Sequence, residues 1–97
     1  MKRALLAAIL ALGTALHASA AEPAIALKNA PGHEVVEKNC AVCHSLDYSR
    51  TNARFLDRKG WQVEVDKMIK IFGANITPQD AAAIVDYLAR NYGVGSR

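Results

Sequence analysis

Three stretches of the chain carry apolar residues at the three-to-four-residue spacing of an amphipathic helix. They cover residues 32 to about 44, 61–72 and 77–93. Their apolar stripes are, in order, Val36, Cys40, Cys43 and His44; Trp61, Val65, Met68, Ile69 and Phe72; and Ala81, Ile84, Val85, Leu88 and Tyr92. No stretch shows the strict apolar–polar alternation of a strand. The pattern predicts an all-α fold of about three helices.

The segments between these stripes carry start signals and loop signals. Thr77 is a candidate N-cap, Pro78 suits the first helical position, and Asp80 is favourable near a helix N-terminus. Residues 45–60 show no sustained period and are rich in Ser, Asn, Asp and Arg. They are predicted to form a long loop, and a loop of this length in a small domain is usually functional.

The first twenty residues have the organisation of a secretory signal peptide. Lys2 and Arg3 precede an apolar run from Leu5 to Leu16, and residues 18–20 read Ala-Ser-Ala, a typical cleavage site. The alternative is an uncleaved membrane anchor, but the apolar run is shorter than the roughly 20 residues that a bilayer span requires. We therefore expect cleavage, export to the periplasm and no membrane span in the mature protein.

Removal of residues 1–20 leaves 77 residues, which is one domain near the lower limit for a self-sufficient core. Residues 21–31 are expected to be an N-terminal leader and residues 32–97 the domain itself. Ten basic and nine acidic residues remain, a formal net charge of +1. This balance gives no indication of nucleic-acid binding.

Residues 40–44 read C-x-x-C-H, the attachment motif of c-type haem. Residues at i, i+3 and i+4 of a helical turn share one face, so Cys40, Cys43 and His44 are expected to approach one porphyrin together. The two thiols would form thioether bonds and the imidazole would be the proximal iron ligand. The prediction is one covalently attached haem c, which would also help a small domain to fold.

Three other interpretations of the motif are weaker. A disulfide is possible in an oxidising compartment. A thioredoxin-like redox pair expects a βαβ context that the pattern lacks. A zinc site needs four ligands, and after the two cysteines and His44 only His33 remains as a further histidine of the mature chain.

Met68 is the candidate for the second axial ligand, because it is the only methionine besides the initiator and lies on the apolar stripe of its helix. A thioether opposite histidine raises the reduction potential. The alternative is a methionine that fills a gap in the core. His33 competes as a ligand but lies on the same helix as the motif, and lysine ligation by Lys67 or Lys70 is a remote option. Iron held by His44 and Met68 has no open position and would transfer electrons only.

Several polar side chains are candidates for binding the haem propionates. Trp61 and Tyr48 are potential hydrogen-bond donors, whereas Arg50, Arg54 and Arg58 are potential cationic partners. The alternatives are core packing for Trp61 and a solvated loop surface for the arginines.

With these features, the mature chain resembles a class I monohaem cytochrome c, including a closing helix that reads I-V-D-Y-L-A-x-N-Y-G. A narrower resemblance is to the cytochrome c subunit of bacterial sulfite:cytochrome c oxidoreductases (sulfite dehydrogenases). The residues that carry it lie at 43–48, 55–57, 60–61, 65, 67–69 and 72–74. The chain departs from ordinary class I cytochromes in having only 23 residues between His44 and Met68.

The resemblance implies that Cys40 and Cys43 carry the haem and that His44 and Met68 are its axial ligands. It also implies a non-catalytic subunit that forms a heterodimer with a molybdenum-cofactor sulfite dehydrogenase subunit and passes single electrons to a downstream cytochrome c or oxidase. The alternative is a freely diffusing cytochrome c that serves a terminal oxidase or another respiratory partner. A haem-based gas-binding or peroxidase module is a third option, which needs an open iron position.

Overall fold

The computed structural model describes residues 25–95 of the protein. Within this range the chain forms α1 (His33–Cys40), α2 (Asp47–Asn52), α3 (Arg58–Lys70) and α4 (Pro78–Tyr92), with no strand. The predicted all-α class is confirmed, with four helices in place of about three. No helix among residues 25–95 is long and apolar enough to cross a bilayer. The predicted signal peptide and the first residues of the leader lie outside the described residues.

Helix α4 is the centre of the fold, because α1, α2 and α3 all pack against it. It begins as predicted: the Thr77 hydroxyl accepts a hydrogen bond from the Asp80 N–H at 3.1 Å, and Pro78 occupies the first turn. The buried core takes residues from every packed element except α2, and consists of Leu27, Val36, Trp61, Val65, Ile84, Val85, Tyr87, Leu88 and Tyr92.

The start of α1 crosses α4 at close range. Gly32 has a left-handed φ of 94°, and a Cβ at this position would lie 3.2 Å from the Tyr87 Cβ. Tyr87 is 1 % exposed, although its position lies outside the apolar stripe that the sequence predicted for this helix. The wider buried face follows from the central position of α4, which contacts neighbours on several sides.

The end of the predicted leader is part of this packing. The Tyr87 hydroxyl donates to the Lys28 carbonyl at 2.7 Å, and the Lys28 N–H donates to the Tyr92 hydroxyl at 3.0 Å. Leu27 is buried in the core. Residues 25–28 therefore lie against α4 as an irregular segment held by its two tyrosines.

Both ends of α3 differ from the predicted limits, residues 61 and 72. Helix α3 begins at Arg58, since the Asp57 carboxylate caps it by accepting the Gly60 N–H at 2.8 Å, and it ends at Lys70. Phe72 was expected on the buried stripe of this helix; it lies beyond the helix end and is 65 % exposed.

The region predicted as a continuous loop contains α2. Polar side chains hold this short helix: Arg50 pairs with Asp47 at 2.8 Å, and Asn52 donates to the Tyr48 carbonyl at 2.8 Å. Local polar bonds stabilise α2, which lacks the apolar periodicity that usually indicates a helix. The sequence pattern therefore did not predict this helix.

Candidate functional site: an apolar cavity beside the C-x-x-C-H turn

An open cavity of about 230 Å³ lies between the motif turn and helices α2, α3 and α4. Most of its wall is apolar, and it also brings together most of the site residues predicted from the sequence. The lining consists of Cys40, His44, Tyr48, Ser49, Trp61, Glu64, Val65, Lys67, Met68, Phe72 and Leu88. The other predicted site residues, Cys43, Arg50, Arg54 and Arg58, do not line it.

The sequence predicted that helix α1 continues through the motif. In the structure, the motif instead forms a turn at the end of α1. The helix ends at Cys40, and the Cys43 N–H then donates to the Cys40 carbonyl at 3.4 Å across a tight turn. Cys40 faces the cavity, whereas Cys43 is exposed. Both thiols are free, so no disulfide joins them. Burial, and to a smaller extent the neighbouring Cys43, raises the pKa of the Cys40 thiol to about 11.

His44 is oriented by its own backbone surroundings. Its Nδ1 lies 3.0 Å from the Ser45 carbonyl oxygen. A carbonyl can only accept, so this bond requires a proton on Nδ1 and leaves the lone pair on Nε2 available for a ligand. A ligating histidine commonly has such a partner behind it, since the bond fixes both tautomer and ring orientation. The Tyr48 ring contacts the imidazole, with centroids 5.0 Å apart.

Met68 lies on the α3 wall of the same cavity and is half-buried. Its sequence competitors are placed differently. His33 is outside the lining, with its Nε2 3.7 Å from a Glu37 carboxylate oxygen. Lys67 lines the cavity, but its ammonium lies 2.6 Å from the Glu64 carboxylate. Met68 therefore brings a thioether to the cavity that also receives His44, and its role as an iron ligand stays a prediction.

Trp61 is 1 % exposed and lines the cavity. Its Nε1–H is fully buried and has no hydrogen-bond partner, the only such side-chain nitrogen or oxygen among residues 25–95. An unpaired buried donor costs about 1–3 kcal/mol, and each such group in a folded protein calls for an explanation. Because Trp61 also lines the cavity, an acceptor on a group bound there is the candidate partner for this N–H.

A polar network at the cavity wall escaped the sequence analysis. The Tyr48 hydroxyl donates to the Glu64 carboxylate at 2.8 Å, and Lys67 donates to the same carboxylate. The bond to Lys67 is the main reason that the pKa of Glu64 lies below its ordinary value, while burial and then the Glu64 bond raise the pKa of Tyr48. In the sequence, the spacing of three residues between Glu64 and Lys67 is compatible with an ion pair on one helix. Tyr48 lies on another helix, so no spacing predicts its contact with Glu64.

The three arginines predicted as propionate partners, Arg50, Arg54 and Arg58, do not line the cavity. Arg50 is exposed, and its guanidinium is paired with Asp47 of the same helix at 2.8 Å. It lines a separate surface depression with Lys28 and Tyr92. The lining of the cavity therefore gives no support for a contact between Arg50 and a haem, and this contact stays a prediction.

The residues of the cavity fit a haem. The wall is largely apolar, as a porphyrin face requires, and an imidazole and a thioether from different elements reach the same space. One thiol of the motif lines that space and the second follows at the end of the same turn. Trp61, whose N–H has no partner among the described residues, belongs to the same wall.

Comparison with known protein families agrees with this geometry. The family described as "Quinohemoprotein amine dehydrogenase A, alpha subunit, haem binding" matches residues 30–97, which is 68 of the 97 residues. No curated protein matches the chain. The prediction of a haem-binding domain is confirmed, whereas the specific resemblance to sulfite dehydrogenase cytochromes stays a prediction. The chain belongs to the haem-binding domain family of the quinohemoprotein amine dehydrogenase alpha subunit.

Proposed function

We propose that this protein is a periplasmic monohaem c-type cytochrome that transfers single electrons and has no catalytic activity of its own. The observation that carries the proposal is the shared cavity: Cys40, His44 and Met68 reach it from the end of α1, the motif turn and α3. The C-x-x-C-H sequence accounts for covalent attachment, and membership of a haem-binding family supports the cofactor.

Each cavity residue has a defined task in this proposal. A bound haem supplies a one-electron ferric/ferrous couple. Cys40 and Cys43 would hold it through thioether bonds, and His44, whose Nδ1 bond leaves the Nε2 lone pair available, would ligate the iron. Met68 would supply the second protein ligand to the iron and so exclude small molecules from it. The Trp61 N–H would donate to a propionate, and the largely apolar wall would contact the porphyrin.

The test is an optical spectrum of protein exported to the periplasm, in both oxidation states, with and without carbon monoxide. A low-spin c-type spectrum that carbon monoxide leaves unchanged is expected, together with a haem stain that survives a denaturing gel. Met68→Ala should open the iron, permit carbon monoxide binding to the ferrous protein and lower the reduction potential. Ile69→Ala is the matched control, since Ile69 is half-buried on the same helix but does not line the cavity. Rapid carbon monoxide binding by the wild type would refute the Met68 assignment.

The proposed electron donor is a dehydrogenase. The sequence resemblance favours the molybdenum-cofactor subunit of a sulfite dehydrogenase as a heterodimer partner, with a downstream cytochrome c or oxidase as the acceptor. The family description favours a quinohaemoprotein amine dehydrogenase. The ferric protein should be mixed with each purified enzyme and its substrate, sulfite or a primary amine. Rapid reduction by one and not the other identifies the donor class.

The mode of association and the compartment have separate tests. Co-purification with the dehydrogenase at raised salt is expected for a stable subunit, whereas a freely diffusing carrier would dissociate. The N-terminus of the purified protein should be Ala21, as expected for cleavage after Ala20. A protein that begins at Met1 would contradict export by signal cleavage.

A further inference from the structure

The junction between α2 and α3 and the C-terminal end of α4 form one basic surface with an apolar centre. We call it the junction surface; it consists of Arg54, Phe55, Arg58, Lys59, Arg90 and Val94. Two contacts join its parts. The Val94 N–H donates to the Leu56 carbonyl at 2.9 Å, and Arg58 and Arg90 both bind the Asp86 carboxylate, at 2.9 and 2.8 Å.

Positive charge exceeds negative charge on this surface. Its four cations face two carboxylates, those of Asp57 and Asp86. Asp57 is engaged at the N-terminus of α3, and Asp86 is shared by two arginines. Neither Arg54 nor Lys59 takes part in an ion pair within the described part of the chain, and both are exposed. The surface is therefore complementary to a negatively charged partner.

The centre of the surface is apolar and open to solvent. Phe55 is 71 % exposed and Val94 is 56 % exposed. The Arg54 guanidinium lies over the Phe55 ring, 5.9 Å from its centroid. None of the six residues lines the cavity beside the C-x-x-C-H turn. An exposed aromatic ring beside arginines is the composition that is enriched at the energetic centres of protein interfaces.

We propose that the junction surface docks an acidic face of a partner protein, with Phe55 as the apolar anchor and Arg54 and Lys59 as the ionic contacts. Three of the four cations are arginines, whose planar guanidinium matches a carboxylate in two parallel hydrogen bonds. Two of the four cations are paired with Asp86, and the remaining two are fewer than the four to eight basic residues typical of segments that bind anionic membranes. The charge pattern and the single aromatic anchor therefore favour a protein over a lipid surface.

The test measures binding of the full, haem-loaded chain to a fluorescein-labelled, glutamate-rich random copolymer of glutamate and tyrosine, by fluorescence anisotropy. The Arg54→Gln/Lys59→Gln double variant should bind about three- to tenfold more weakly than the wild type. The matched control is Lys38→Gln/Lys70→Gln, which removes the same charge from side chains that are 77 % and 73 % exposed elsewhere. This control should stay within about twofold of the wild type.

A second pair of variants tests the apolar anchor. Phe55→Ser should weaken copolymer binding at least about fivefold but leave binding to polyglutamate unchanged, while Val63→Ser, at an exposed position of α3, should change neither. An unchanged haem spectrum shows that each variant is folded.

Three results would overturn the proposal. Equal losses in the two double variants would mean that net charge, and not this surface, binds the probe. Full binding by Phe55→Ser would remove the anchor. Binding to vesicles of phosphatidylcholine and phosphatidylglycerol in equal parts, lost in Arg54→Gln/Lys59→Gln while the copolymer does not bind, would assign the surface to a membrane.

Discussion

Replacement of Trp61 by phenylalanine tests the role of its buried N–H, a donor that no group of residues 25–95 accepts. Phenylalanine keeps an aromatic ring in the core and removes the donor. If the donor has no partner in the haem-loaded protein either, its removal relieves an unfavourable burial. If it donates to a propionate, its removal breaks a charge-assisted bond. The sign of the stability change therefore separates the two cases.

The two cases differ by several kilocalories per mole. A hydrogen bond to a charged group contributes about 1.5–3 kcal/mol. The smaller ring leaves unfilled volume at a site that is 1 % exposed, which costs about 1 kcal/mol more. With a propionate bond the variant should lose about 2.5–4 kcal/mol. Without one, relief of an unpaired donor offsets the volume cost, and the net change should be within about 1 kcal/mol of zero or favourable.

Urea unfolding of the haem-loaded wild type and variant, followed by circular dichroism, measures this difference. The protein has a single tryptophan, so the indole N–H also gives one cross-peak in a ¹H–¹⁵N spectrum of the reduced protein. That proton should resonate at the low-field position of a hydrogen-bonded indole. A variant as stable as the wild type, together with an indole proton in the unbonded range, would refute the assignment of Trp61 to a propionate.

Three further predictions concern acid stability, thiol reactivity and the helix crossing. The pKa of Glu64 is lowered in the folded state, so the stability that this carboxylate contributes is complete above its ordinary pKa of 4.5 and is lost as the pH falls through the lowered pKa. In urea titrations, Glu64→Gln should therefore be less stable than the wild type at pH 7, and the difference should shrink on acidification. A difference that does not change with pH would contradict this. With a pKa of about 11, Cys40 in haem-free Cys43→Ser protein should react with iodoacetamide at pH 8 about 100-fold more slowly than a thiol with the ordinary value of 9.0, and an equal rate would contradict its burial. Gly32→Ala should destabilise the protein by about 1–2 kcal/mol more than Gly73→Ala in thermal unfolding, because both have a positive φ but only Gly32 would direct a Cβ onto Tyr87; equal effects would contradict the close crossing.

The third predicted helix shows what the sequence could determine. Its cap at Thr77, its first-turn proline and most of its apolar stripe depend on neighbours in the chain, and the structure has them as expected. Tyr87 was missed because its burial depends on Gly32 and Lys28, which are distant in the sequence. A single stripe describes a helix with one packed face, whereas α4 packs on several.

The motif turn shows the opposite limit. The sequence grouped Cys40, Cys43 and His44 on the ground of a shared helical face. The helix ends at Cys40, so Cys40 and His44 reach the cavity through a turn whose geometry no periodicity describes. The bond from His44 to the Ser45 carbonyl and that from Tyr48 to Glu64 depend on backbone course and on a contact between helices. Motif chemistry could thus be read from the chain, whereas the orientation of its groups could not.

Helix α3 relates the haem cavity to the junction surface. Trp61 and Met68 face the cavity, whereas Arg58 and Lys59, in the first turn of the helix, face solvent. Lys59 and Trp61 are two residues apart, so they project about 200° apart around the helix axis. A partner on the junction surface would therefore contact the outer face of the same helix whose inner face holds the cavity. Substitutions on the outer face should change binding and leave the haem spectrum unaltered, whereas those on the inner face should change the spectrum first, because the rigid helix separates the two sets of contacts.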